Sequence, residues 1–481
     1  MLLLTQSHVP FVAARRQVLS GQELARAMAK GGVVDLGSRE IVLSRKLVVR
    51  GEGAVATVRN GTLRAASDDP GAGVCFLAAY RGGVLRLEGV TAVGMGVQCE
   101  GGKVMLSDVH IVDAPKSGIG SKGRGSKVVV HSGSIAGSGG QGMWCIEGGQ
   151  VELRDVQIAD CRKGGVANHG QGSKVVMEGG SVKGIGGDAV ACSGNGEVEL
   201  RGAQMSDYER SGVVSRGQGT NVVVQGGSIS GSRTGMGVSC EDGGQAEVRD
   251  VRIADCQKCG VVTVGQGSKA IVEGGIITGT VEDGGVMCLD HGQAEVRGVQ
   301  IVDCQTSGVA SLGHGSKLVM QGGSIAGCKG FDSAGVKCGE GGQAEVRDVQ
   351  IARCQASGVF CGSQGSKMVV QGGSIIGVED GDGVICLEGG QVELRGVQVA
   401  GCQQCGVSCL SRGSKVVVEG GSITRTVEGD GVFCRDGGRA EVRDVQIADC
   451  RGYGLCCTSD GRLSHFSCNI VRCEAGETSG C

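Results

Sequence analysis

The chain has 481 residues, of which 95 are Gly and 3 are Pro; it carries 6 Phe, 3 Tyr and 1 Trp, and sets 47 basic against 50 acidic side chains. Glycine does not recur at every third position and proline is nearly absent, which excludes a collagen-like helix, and 40% hydrophobic residues at a net charge of -3 exclude a disordered polyelectrolyte. The near-neutral balance offers no basic excess for nucleic acid or anionic lipid, and no apolar run approaches the roughly 20 residues of a membrane-spanning helix.

In chain order, residues 1–19 are expected to be poorly ordered. They hold a three-leucine run, then polar residues and Pro10, without the basic start of a signal peptide; Arg15 and Arg16, with no acid before Glu23, leave an organelle-targeting segment open. Residues 20–30 read as a short helix with Ser20 as its cap and Glu23 in its first turn. From residue 31 to 458 the chain repeats. Gly-Ser-Lys or its variants begin at Gly125, Gly172, Gly219, Gly267, Gly315, Gly365 and Gly413, and each unit divides into two halves that both end in a Gly-Val-x-small element. The last residue of that element falls at Cys338, Cys361, Cys386, Cys409, Cys434 and Cys457, so the fundamental period is about 24 residues.

Within one period Val151, Leu153, Val156 and Ile158 alternate with Glu152, Arg154 and Gln157. Period-two alternation in short β-branched runs broken by Gly predicts strands and turns. Three short strands and three turns fit into about 24 residues, and stacked coils let each strand pair in parallel with its equivalents above and below. The fold class expected is all-β, with about 17–18 such coils behind the N-terminal helix. Up one inner row, Gly133, Gly227 and Gly421 alternate with Val156, Val251 and Val445, which reads as alternating small and large side chains or as glycines that permit a bend or bulge. Residues 459–481, with Cys468, Cys473 and Cys481, break the pattern and are expected to form an irregular tail.

These coils, the helix at residues 20–30 and the entry strands at residues 31–36 and 47–53 resemble the right-handed parallel β-helix of the pectate-lyase-like superfamily, in which a helix caps the first coil. The resemblance spans about residues 30 to 457 and implies a single-stranded right-handed β-helix. A Kelch-type propeller would need aromatic signatures that so few aromatics cannot supply, and the L-x-x-L-x-L frame of leucine-rich repeats is absent.

Many members of that superfamily are polysaccharide lyases, hydrolases or epimerases. Gly313-His314-Gly315 resembles the Gly-His-Gly element of polygalacturonase-type hydrolases, yet the same repeat position elsewhere holds Gln171, Gln218 and Gln266, and no Asp-Asp pair accompanies it. Asp113, Asp160, Asp207, Asp255 and Asp303 share one position, and Asp155, Asp250, Asp348 and Asp444 alternate with Gly at another; both rows read as turn formers. Arg154, Arg201, Arg249, Arg297, Arg347, Arg395 and Arg443 face His131 and then Glu or Gln in the intervening coils, a ladder that satisfies itself.

Cysteine takes one position in every second coil, at Cys99, Cys145, Cys192, Cys240, Cys288, Cys338, Cys386 and Cys434, and Cys361, Cys409 and Cys457 fill the coils between toward the C-terminus. Residues two coils apart exceed the roughly 7 Å limit for a disulfide, so these read as free thiols that fill an inner row in a reducing, intracellular and cytoplasmic setting. The late row lacks the CxxC spacing and His partners of a zinc site. No catalytic, metal or cofactor residue is assigned from the sequence. The function expected is a non-enzymatic β-solenoid scaffold that binds another protein along an outer face, without nucleic acid or membrane; a carbohydrate-active enzyme acting on polysaccharide is the alternative that the superfamily implies.

Overall fold

The computed structural model describes residues 20–66 and 76–480, and the segment 1–19 lies outside them. The helix Gly21–Ala29 forms where the Ser20 cap predicts it. The Ser20 hydroxyl accepts the Glu23 N–H at 3.3 Å and donates to the Glu23 carboxylate at 3.1 Å, a reciprocal cap that satisfies otherwise orphaned groups of the first turn. Leu24 and Met28 turn inward and are buried.

The described residues after the helix form a parallel β-solenoid of about 18 turns, each of roughly 24 residues. Two units divide it: residues 1–163 with 171–176, and residues 164–170 with 177–481. In both, each turn gives one segment to a wide sheet and one short strand to a narrow sheet. In the first unit the wide-sheet segment is one long strand, as in Val84–Val93 and Lys103–Val112. In the second it breaks into two, as in Arg439–Arg443 and Gln446–Ala448, while Val432–Arg435 belongs to the narrow sheet.

Pairing between turns is parallel and in register. Gln391 lies beside Lys415, Lys415 beside Arg439, and Arg439 beside Arg462. The apolar members of the alternation point inward: Val151, Leu153, Val156 and Ile158 are at most 1% exposed, whereas Arg154 and Gln157 stand in solvent.

The glycine row has a conformational cause. Gly133, Gly227, Gly275, Gly323, Gly373 and Gly421 hold φ between 73° and 112°, and a Cβ on any of them would fall 2.1–2.3 Å from a backbone oxygen of the preceding turn. They are therefore corners of the backbone, not small side chains in the core. The neighbouring corner is roomier: Asp155, Asp250, Asp348 and Asp444 sit there at φ of 52–54° and Gly396 at 62°, with nothing within 4 Å of its absent Cβ.

The Gly-Ser-Lys signature has a hydrogen-bonding cause. Ser173, Ser268, Ser366 and Ser414 are buried, and their hydroxyls accept the N–H of Gly148, Gly243, Gly341 and Gly389 in the preceding turn at 3.0 Å. Ser268 also donates to the Val264 carbonyl at 2.6 Å. One buried hydroxyl thus ties two corners together.

One expectation needs correction. The tail is not irregular: Arg462–Phe466, Asn469–Val471 and Gly476–Ser479 pair in parallel with the turn beneath and complete one more coil. This turn is largely exposed, and its strand places His465 beside Val442. The apolar alternation that marks inner turns is relaxed there.

Two substitutions separate the corners. Gly421→Ala should lower stability by about 3 kcal/mol, from left-handed strain plus a clash with the Val397 carbonyl, whereas Gly396→Asp should stay within about 1 kcal/mol, since Asp holds the same corner elsewhere. Urea unfolding of both variants checks this, and equal losses would contradict the corner assignment.

Candidate functional site

The rows singled out in the sequence resolve as follows. On the outer face of the wide sheet Arg297 pairs with Glu273 at 2.5 Å and Glu295 at 2.6 Å, Lys269 with Glu295 at 2.6 Å, and Arg249 with Glu247 at 2.6 Å and Glu273 at 3.3 Å. Arg201 bridges Glu178 and Glu199, Arg395 pairs with Glu393, and Arg347 and Arg443 contact Glu345 and Glu441. These exposed pairs contribute about 0.2–1 kcal/mol each; they hold the register and neutralise the face.

Asp113, Asp160, Asp207, Asp255 and Asp303 all adopt φ of 52–58°, the left-handed corner that Asp tolerates. Asp303 also pairs with Lys329 at 3.0 Å. His314 sits in a corner between the two sheets, its ring 5.8 Å from that of His291 and edge-on to it, flanked by Gly313 and Gly315 at φ of 86° and 75°. The sequence-predicted residues are thus spread along the turns and do not converge.

A different set does converge, on the outer face of the narrow sheet in the second unit. The Gly-Val-x-small element positions it: Val384, Val407 and Val432 point inward and are buried, so Ile385, Ser408 and Phe433 next to them lie in register on the outer side. Phe360 precedes Ile385 and Cys456 follows Phe433 in the same row. At the entrance to these strands a second row carries Ser357, Asp382, Cys405, Asp430 and Tyr453, successive turns of one repeat position.

Hydrogen bonds between turns hold this second row. Asp382 Oδ1 accepts the Cys405 N–H at 2.7 Å, Asp430 Oδ1 accepts the Tyr453 N–H at 2.6 Å, and the Asp430 N–H donates to Cys405 Sγ at 3.4 Å. Burial pushes both carboxyl groups above the usual aspartate range, and the N–H bonds only partly offset it. Burial, with the neighbouring Asp382 charge, pushes the Cys405 thiol up to about 12.

Asp188 occupies the same repeat position and accepts the Ser211 N–H at 3.1 Å, but it also pairs with Arg210 at 3.7 Å. Among the described residues, neither Asp382 nor Asp430 forms an ion pair. Two turns separate them, or about 9–10 Å at roughly 4.8 Å per turn.

Aromatic rings flank the two carboxylates. Lys337 Nζ lies 5.2 Å from the Phe360 ring centre and Arg435 Cζ 5.8 Å from that of Phe433. A Cβ on Gly362 would lie 2.9 Å from the Phe360 ring, so glycine makes the room for that ring. The chain has few aromatics, and Phe360, Phe433 and Tyr453 gather here. Sequence reasoning missed the cluster because it ranked conspicuous rows; the signal was the replacement of Ser-Gly-Val or Cys-Gly-Val by Asp-Gly-Val at residues 382–384 and 430–432. In the first unit the narrow sheet carries Trp144, which packs over Gly120 and lines a cavity of about 190 Å³ with Gln98, Pro115 and Lys116.

A model of the family described as right handed beta helix region matches residues 95–240, 236–384 and 382–478. No curated protein matches the sequence. Among solved structures, the chain is similar to the Azotobacter vinelandii mannuronan C-5 epimerase AlgE4 A-module at 12% identity, covering 95% of this chain and 93% of that one with a TM-score of 0.25. It is also similar to a GH87 α-1,3-glucanase catalytic domain in complex with tetrasaccharides, at 12% identity, 98% and 70% coverage and a TM-score of 0.28. A third is the GH87 α-1,3-glucanase from Streptomyces thermodiastaticus strain HF3-3, at 14% identity, 96% and 66% coverage and a TM-score of 0.25. At these identities the likeness is one of fold alone.

The raised carboxyls make a pH prediction. A group whose folded pKa lies above its unfolded value stabilises the fold at low pH and loses that contribution as pH rises through the folded pKa. Between pH 3 and pH 7 the native protein should therefore lose stability relative to an Asp382→Asn/Asp430→Asn variant, which keeps both acceptors and adds no charge. Thermal unfolding at the two pH values measures it; a variant that loses as much as the native protein would contradict the assignment.

Proposed function

We propose, from the premise that the chain belongs to the right-handed β-helix family, that it is a carbohydrate-active protein whose sugar chain lies on the outer face of the narrow sheet between Phe360 and Tyr453. The observation that carries this reading is the pair Asp382 and Asp430: two carboxyls that form no ion pair among the described residues, both raised above the usual aspartate range although the Arg435 charge acts to lower Asp382. Phe360 stands one turn before Asp382 and Phe433 in the turn of Asp430, and aromatic faces suit the apolar faces of sugar rings. A carboxyl held protonated can donate to a leaving oxygen, and an ionised partner can take a proton from water. Their separation of about 9–10 Å is near the wide spacing, roughly 6.5–9.5 Å, that admits a water between the two groups in inverting glycoside hydrolysis.

Release of reducing ends from a panel of neutral and acidic polysaccharides tests the reading. The native protein is expected to turn over at least one, and Asp382→Asn and Asp430→Asn should each lower kcat roughly 10²- to 10⁴-fold, with Asp188→Asn unchanged. A panel without turnover, or equal losses in all three variants, would overturn it.

A protein-binding solenoid is the second reading, favoured by one observation. Phe331 is 96% exposed at a protruding corner, an anchor of the kind a protein partner buries. Phe331→Ala should abolish recovery of a partner from lysate while leaving turnover intact.

A further inference from the structure

The interior of the narrow sheet holds a feature that the proposed function does not use. Cys338, Cys361, Cys386, Cys409, Cys434 and Cys457 stand in register on six consecutive turns, each directly beside the next. None is bonded to another in this structure. Neighbouring parallel strands lie about 4.7–4.9 Å apart, inside the roughly 4.4–6.8 Å Cα separation that a disulfide requires. In this structure the thiols donate to backbone carbonyls, Cys338 to Gly342 at 3.1 Å, Cys409 to Arg439 at 3.2 Å and Cys434 to Gly438 at 3.0 Å. Earlier in the same row the thiols are separated by Ser121, Asn168, Ser215, Thr263 and Ser311, so only this stretch is continuous.

Access is graded. Cys338, Cys361, Cys386, Cys409 and Cys434 are 0% exposed and Cys457 is 8% exposed. The last turn sets Gly480 over Cys457, where it contributes no side chain.

We propose that this row is a disulfide relay, oxidised at Cys457 and able to pass the disulfide inward from turn to turn, up to three bonds in all. The co-reactant is a hydroperoxide. The Cys457 thiolate attacks its terminal oxygen, giving a sulfenic acid and hydroxide (with hydrogen peroxide) or an alkoxide; the Cys434 thiol then displaces the sulfenic oxygen as water and closes the Cys434–Cys457 bond. Overall, two thiols and one hydrogen peroxide give one disulfide and two waters. The Cys409 thiolate next attacks Cys434 Sγ, forming Cys409–Cys434 and releasing Cys457 as a thiolate ready for a second equivalent. The neighbouring Cys386 thiol, together with burial, pushes the Cys409 thiol up to about 12, which makes its attack slow and faster as pH rises. A second inner row offers a built-in contrast. Cys450 neighbours Cys473 and Thr426 follows on the next turn, so a Cys450–Cys473 disulfide has no third thiol to attack it, while Cys304, Cys328 and Cys354 form a separate run of three further along that row.

The test is to treat the folded full-length protein with hydrogen peroxide and map disulfide-linked peptides over time by mass spectrometry. The expected result is Cys434–Cys457 first, then Cys409–Cys434 and bonds further inward, with free thiols falling in twos. Cys457→Ser should slow loss of the other five at least tenfold; Ser is already tolerated at this row position in Ser215 and Ser311. Cys338→Ser should leave formation of the first bond unchanged and serves as the folding control. Confinement of oxidation to Cys450–Cys473 and Cys468, conversion of Cys457 to sulfinic acid without bonds to Cys434, or an undiminished rate in Cys457→Ser would each overturn the relay. None of these outcomes bears on the polysaccharide assay, so the two proposals fail separately.

Discussion

The constraint on which the structure depends is translational: each turn offers its backbone N–H and C=O groups to the turn above at one strand spacing, and the bonds form only if equivalent residues stay in register. No single turn of about 24 residues can bury its own apolar side or satisfy its own backbone. Neighbours do both, so the inner Val and Ile rows, the corner glycines and the buried serines are answers to one requirement. Where a corner brings two backbones together, as at Gly421 over the Val397 carbonyl, only glycine fits. Where the corner opens outward, as at Asp444 or Gly396, Asp and Gly exchange freely.

The same translation decides what chemistry the solenoid can hold. A residue type present in every turn meets itself at contact distance. This is costly for like charges, and in the row of Arg249 and Arg297 Arg alternates with Glu or Gln, although Lys415, Arg439 and Arg462 stack at another position; it is tolerable for thiols, which stack as the Cys338–Cys457 row. A residue type present in every second turn is separated by about 9–10 Å, too far for a bond but suited to a pair of groups acting on either side of one ligand. Asp382 and Asp430 stand in that relation, and Cys405 occupies the turn between them. Neither forms an ion pair among the described residues, whereas Asp188, which burial raises in the same way, pairs with Arg210.

Much of this was legible in the residues alone. The 24-residue period, the outward and inward alternation in residues 151–158, the Ser20 cap and the turn character of the two Asp rows all follow from local pattern, because each depends on backbone geometry that a few residues set. The grouping on the narrow sheet was not legible. Phe360, Asp382, Phe433 and Tyr453 come from four turns in a run of five, and Gly383 and Val384 are both buried, so strict alternation does not tell which flank of the Gly-Val-x-small strand faces outward. The last turn escaped for the opposite reason: its pairing is regular, but its strand Arg462–Phe466 lacks the apolar alternation of the other turns.

By itself the sequence determined the repeat, the strand alternation, the helical cap and the sites of the turns, since these are set by steric limits on single residues and by the apolar period. Only the tertiary structure decided which residues of distant turns share a face, that the corner glycines avoid a carbonyl of the neighbouring turn, and that six thiols form one unbroken column. Those relations arise from the stacking vector between coils, a distance that no individual turn contains.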